Sequence, residues 1–185
     1  MKKERVFIDG DRIYLRKLEK SDVHNNYIHW FDDAEVCKYS YHHAFPYSDE
    51  ELEDYVESLK QKSKIVLAII EKSTGNHVGN LSLQDIDVIA NRAELAIVVG
   101  EKSVWGLGYG KEACALIVEH GFQTLNLNSI ACFTPVLNIG MQKIAESLKF
   151  TKEGTIREMM YKNGEYLDVF VYGLLKREWK ENQSK

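Results

Sequence analysis

The stretch "SVWGLGYGKEACALIVEHGF", residues 103–122, places glycines at 106, 108 and 110 and then enters an apolar-periodic helix. Glycines at this spacing let the backbone approach an anion closely and turn its N–H groups inward. A helix beginning near Tyr109 adds unpaired donors and the positive end of a dipole. A pyrophosphate fits such a nest without a metal. The alternative is a glycine-rich turn used only for packing. Two nucleotide motifs fail here. Aligned on Gly110-Lys111, a Walker A loop would need glycine at Trp105 and Ser or Thr at Glu112. A dinucleotide fingerprint starts at Gly106 and Gly108 but meets Lys111 where its third glycine belongs.

Other reactive side chains are fewer. In "RAELAIVV", strand alternation puts Leu95, Ile97 and Val99 on one face and Glu94, Ala96 and Val98 on the other. Glu94 is either a chemically active carboxylate or an exposed strand residue paired with Arg92. Cys37, Cys114 and Cys132 are odd in number and lack CxxC spacing, so they read as buried thiols in a reducing compartment. The histidines are scattered; His42-His43 either line a pocket or sit on a surface loop. No His, Cys or carboxylate spacing suggests a metal site.

These residues need a scaffold. With 185 residues, the chain is expected to form one domain over 1–185. Hydrophobic residues at 44% and charged residues at 28% fit a globular protein, and the net charge of −4 argues against a nucleic-acid partner. No apolar run reaches the ~20 residues of a membrane span, and "MKKERVFIDG" has no signal-peptide core. A cytoplasmic location is expected.

The pattern predicts a strand over 12–18, then a helix over 21–31 capped by Ser21. A second helix over 47–61 carries a Ser48/Glu51 capping box. Strands follow at 64–72, 77–87 and 91–100. After the glycine helix come a strand at 128–136, a helix at 138–150 and a strand pair over 151–176 turned at Asn163-Gly164. The tail after Arg177 reads as polar and frayed. This order predicts an α+β fold with one mixed, mostly antiparallel sheet flanked by helices, not a doubly wound fold.

"AELAIVVGEKSVWGLGYGKEA" resembles the acetyl-coenzyme-A loop of the GNAT N-acetyltransferases. It is similar in particular to the branch with ribosomal-protein alanine acetyltransferases and spermidine acetyltransferases, whose W-G-x-G-Y-[AG]-x-E-A motif matches Trp105 to Ala113. The likeness continues through "HWFDDAEVCKYS" and through "NIGMQKIAESLKFTKEGTIREMMYKNGEYLDVFVYGLL", covering nearly the whole chain in order.

The resemblance implies a GNAT fold that moves acetyl from acetyl-CoA to a primary amine, without a metal. Trp105, Gly106, Leu107, Gly108, Tyr109, Gly110 and Lys111 would hold the pyrophosphate, chiefly through backbone N–H groups. Ile97, Val98 and Val99 would pair with the pantetheine arm like an added strand, and Asn138 would touch pantetheine while capping its helix. Glu94 matches the glutamate of the branch's "R-A-E" and would be the general base, since an alkyl ammonium of pKa ~10 must lose a proton before attack.

The family's usual general-acid positions hold Ala145 and Met141, and Lys149 replaces a turn glycine, so that turn is expected to differ. Tyr161, Tyr166 and Tyr172 are substitute acids from the closing hairpin. A covalent acetyl-cysteine route is the rival chemistry, and a non-catalytic CoA-binding module is the rival function. The acceptor would be a small-molecule or peptide amine: a protein N-terminus, a polyamine, an aminoglycoside-like amine or an amino-sugar nucleotide. The acidic runs "FDDAE" and "SDEELED" could attract its cation. No membrane or nucleic-acid partner is implied, and a homodimer is compatible.

Overall fold

Eight strands form one sheet in the order β1-β2-β3-β4-β5-β6-β8-β7 in a computed structural model that describes residues 5–59 and 64–183. The strands are β1 (Ile8–Asp9), β2 (Ile13–Lys17), β3 (Ile65–Glu71), β4 (His77–Asp87), β5 (Arg92–Val99), β6 (Ser129–Pro135), β7 (Thr151–Lys162) and β8 (Glu165–Leu175). Every pairing is antiparallel except β5 with β6. The expected mixed, mostly antiparallel sheet is present, with β1 added at its edge.

Alternation along the strands gives the sheet two apolar faces. Ile13, Leu15, Leu67, Ile69, Leu81, Leu83 and Leu95 meet the buried stripe of α4 (Tyr109–Gln123), which includes Ala113, Cys114, Ile117, Val118 and Phe122. Ala68 and Ile70 face the other way. They pack with Val23, Tyr27, Trp30 and Phe31 from the first helical segment and with Leu52 and Val56 of α3 (Asp49–Ser58).

The first segment is not one regular helix. α1 (Lys20–Asp22) passes through a π-helical turn at Val23–Tyr27, where Asn25 has φ −100 and ψ −143, into α2 (Ile28–Asp32). Glu19, not Ser21, is the cap, and its capping box is closed by Asp22. Asp22 is needed there for a second reason. Its buried carboxylate takes two hydrogen bonds from the Arg16 guanidinium, at 2.8 and 2.7 Å, and one from the Glu19 N–H at 2.8 Å. Ser48 caps α3 as its sequence predicts, with the Glu51 N–H donating to its hydroxyl. Positions 60 and 61 of the predicted helix lie outside the described residues.

Asn163 and Gly164 both take positive φ, 52 and 88, as the tight turn between β7 and β8 requires. The expected frayed tail is instead α6 (Lys176–Gln183), because Trp179 packs against Phe122 with ring centroids 5.5 Å apart. At the turn where lysine stands in place of glycine, Lys149 takes the left-handed form, with φ 65. No helix among the described residues is long and apolar enough to cross a membrane.

Candidate active site

β5 and β6 run side by side for only three rungs: Arg92 with Ser129, Ala93 with Ile130, and Glu94 with Ala131. Beyond Glu94 the two strands part, while β5 stays paired with β4 on its other edge as far as Val99 opposite Gly79. Ile97, Val98 and Val99 therefore border an open cleft in the sheet, an edge along which an extended ligand can lie, although the Val99 carbonyl already accepts from the Trp105 indole.

The glycine stretch closes one end of this cleft. Gly106 and Gly108 have φ of 78 and 88, which a side chain would strain, and Gly108 is the left-handed cap of α4. Among the described residues, no acceptor meets the N–H groups of Gly106, Gly108, Tyr109, Gly110 or Lys111; the first bond of the helix is Glu112 N–H to the Gly108 carbonyl. Five donors without an acceptor thus lie within six residues at the start of a helix, an environment that suits an anionic diphosphate. A Cβ on Gly110 would lie 3.3 Å from Val99 and 3.4 Å from Ile144 of α5 (Ile139–Ser147), so this glycine lets the helix start lie close to the cleft wall.

The side chains of the loop have structural partners. The Trp105 indole donates to the Val99 carbonyl at 2.8 Å, and the Tyr109 hydroxyl donates to Glu71 at 2.6 Å. Leu107 is exposed, as is Lys111 at the first turn of α4. Asn138 caps α5, accepting from the Met141 N–H at 3.1 Å. Ala145 is sealed in the core.

Arg12 was not legible as a site residue, yet it braces the loop. Its guanidinium donates to the Leu107 carbonyl at 2.7 Å and to Glu112 at 3.1 Å, and lies 5.1 Å from the centroid of the Tyr109 ring. Its backbone N–H also donates to Glu112, at 2.8 Å. The only hint in the sequence is a basic residue opening an alternating strand, which names no partner.

Glu94 is half-buried at the apex of the fork. Its carboxylate accepts from the Gln84 side-chain amide at 3.0 Å, and Arg92 turns instead to Asp87, at 3.5 Å. The surface ion-pair alternative is thereby corrected. Burial pushes the Glu94 carboxyl above the usual range; the Gln84 hydrogen bond opposes this and Asp85 reinforces it. A carboxylate of raised basicity at the fork can accept a proton from an amine.

The other candidates are exposed on the hairpin, sealed in the core or placed on a separate loop. Tyr161 and Tyr166 are exposed at the tip of the hairpin, their rings 4.9 Å apart, and Tyr172 is buried in the core opposite Cys132. All three cysteines are free and buried, and burial raises the pKa of each thiol, against any ready nucleophile. His42 does line a cavity on the α3 face of the sheet, packed on Phe31 at 4.6 Å, while His43 bonds the Phe31 carbonyl.

Comparison with known proteins agrees with this geometry. Residues 12–151 match the model of the acetyltransferase (GNAT) domain. The uncharacterized N-acetyltransferase p20 of Bacillus licheniformis is 33% identical over 174 residues, spanning 91% of this chain and 96% of p20. Spermidine N(1)-acetyltransferase of Escherichia coli K12 is 26% identical over 155 residues, 83% of this chain and 81% of that one. Among solved structures, spermidine N-acetyltransferase from Vibrio cholerae in complex with CoA and spermine superposes with a TM-score of 0.82. It is 23% identical and covers 91% of this chain and 98% of its own. The family model spans most of the chain and p20 aligns over nearly all of it, so the chain belongs to the GNAT acetyltransferase family.

Proposed function

We propose that this acetyltransferase moves the acetyl group of acetyl-CoA to a primary amine by direct attack, with Glu94 as general base. The observation that carries this is the parting of β5 and β6 at Glu94, in a cleft whose other end holds the unpaired N–H groups of Gly106 and of residues 108 to 111. The nest takes the pyrophosphate, and the open edge at Ile97 to Val99 takes the pantetheine arm. Trp105 holds the turn that joins the two, and Asn138 borders the cleft as the α5 cap.

The amine arrives as an ammonium and gives one proton to Glu94, directly or through water. Its lone pair then forms the new C–N bond while the C–S bond breaks toward sulfur. A thiol titrates near ~8.5, so the thiolate can leave without a dedicated acid, and the second amine proton passes to it or to solvent. This suits a site in which Ala145 is buried in the core and the hairpin tyrosines lie elsewhere. We place the reaction in the cytoplasm, which suits three unpaired thiols.

Acetyl-CoA turnover over a panel of amines, read by free-thiol release, tests the reading. Glu94→Gln is expected to lower the rate by about 10²–10⁴ with unchanged acetyl-CoA affinity, and alkaline pH should recover much of the loss. Wild-type rates from acid to alkaline pH in this variant would remove Glu94 from the mechanism.

A further inference from the structure

The face of the sheet that carries Glu94, Ala96 and Val98 also carries a cavity of about 300 Å³, roofed by the α1–α2 segment and α3. Gln84, which holds Glu94, lines it, so the cavity is linked directly to the base. Its walls combine the rings of Tyr27, Phe31, His42, Tyr47 and Tyr55 with aliphatic groups of the sheet and α3. Ser82 and Asn80 add uncharged polar groups on the strand side.

Acid is scarce there. Among the described residues, Glu51 is the one carboxylate on the wall, and it already accepts from the Ser48 N–H at 2.9 Å. Four carboxylates of the acidic runs expected to draw a cation pair with basic side chains outside the cavity. Asp33 and Glu35 hold Lys102 at 2.7 and 3.1 Å, Glu53 meets Lys20 and His24, and Asp49 meets His24.

Glu94 can meet one ammonium, but with Glu51 held by Ser48 each further ammonium leaves water at a cost of roughly several kcal/mol, and a polyamine brings at least two. Ring faces can stabilise one cation before it gives up its proton, and they bury an apolar body favourably. Resting on the acetyl-transfer reading above, we infer that the acceptor is a primary monoamine whose nitrogen is carried on an apolar, ring-bearing body, and not a polyamine.

The test measures kcat/KM by thiol release with 2-phenylethylamine, with a peptide whose N-terminal residue is phenylalanine, and with spermidine. Acetyl-CoA binding is followed in parallel by thermal shift. Phenylethylamine or the peptide should exceed spermidine at least tenfold, and whichever of the two is faster tells a free amine from a chain terminus. Spermidine turned over as well as or better than both would overturn the acceptor inference while leaving acetyl transfer intact. Acetyl-CoA binding with turnover of no amine would overturn the transfer reading, and this inference with it. In Tyr47→Glu, which adds a carboxylate to the wall, the preference for the ring-bearing amine over spermidine should fall at least tenfold. An unchanged preference in the folded variant would count against the cavity as the acceptor site.

Discussion

The side-chain amide of Gln84 donates to the Glu94 carboxylate at 3.0 Å, on the rung where β4 and β5 set the two residues opposite each other. Glu94 is also the last β5 residue to pair with β6. One residue therefore marks the fork in the sheet, and its neighbour on the next strand moderates its basicity.

The Gln84 hydrogen bond pulls the Glu94 carboxyl down against burial. Gln84→Leu removes that pull, so the Glu94 pKa should rise further. A general base works deprotonated, so the acid limb of the kcat/KM profile should move to higher pH. Profiles of the wild type and variant against one amine check this; an unmoved limb would separate Gln84 from the base.

Arg12 is expected to act as a positioning residue for the glycine loop. Its bonds to the Leu107 carbonyl and Glu112 hold that segment against β2. Arg12→Gln should raise the KM for acetyl-CoA about tenfold, the scale of a lost charged hydrogen bond, with the KM for the amine unchanged. Arg12→Lys keeps the charge without the fork and should recover only part of the loss. Calorimetric binding of acetyl-CoA to each variant gives a second readout independent of turnover.

Asp22 should make stability depend on acid. Burial raises its pKa, but hydrogen bonds from Arg16 and the Glu19 backbone, with the charges of His77 and Arg16, outweigh burial and leave it lowered. A lowered carboxyl contributes its full stability above the unfolded value of ~3.9 and loses it as pH falls through the folded value. Asp22→Asn, which removes the charge that two Arg16 hydrogen bonds and the Glu19 N–H meet, should destabilise by about 2 kcal/mol at neutral pH. The gap should narrow below pH ~4. Denaturant unfolding of both proteins across pH measures it.

Lys149 holds a left-handed turn at φ 65. Glycine relieves the Cβ strain there at some cost in unfolded-state entropy, so Lys149→Gly should stabilise by about 0.5 kcal/mol or slightly more. A higher melting temperature with unchanged activity is the expected result. A lower one would mean that the lysine side chain contributes more than its backbone costs.

Features that depend on neighbours in the chain were legible from the sequence alone. The Ser48–Glu51 capping box, the Asn163-Gly164 turn, the alternation of β5 and the glycines before α4 each involve residues a few positions apart, where backbone geometry dictates the outcome. Those signals determined the order of elements, the mixed sheet and the nest of N–H groups. What remained open needed partners distant in sequence. Arg12 and Leu107 are 95 positions apart, and Trp179 finds Phe122 only once α6 docks. Whether Glu94 faced Arg92 or Gln84 depended on the strand register, because pairing chooses which side chains oppose each other. The cavity exists only between layers folded from five separate stretches of the chain, and no local pattern encodes the space between them.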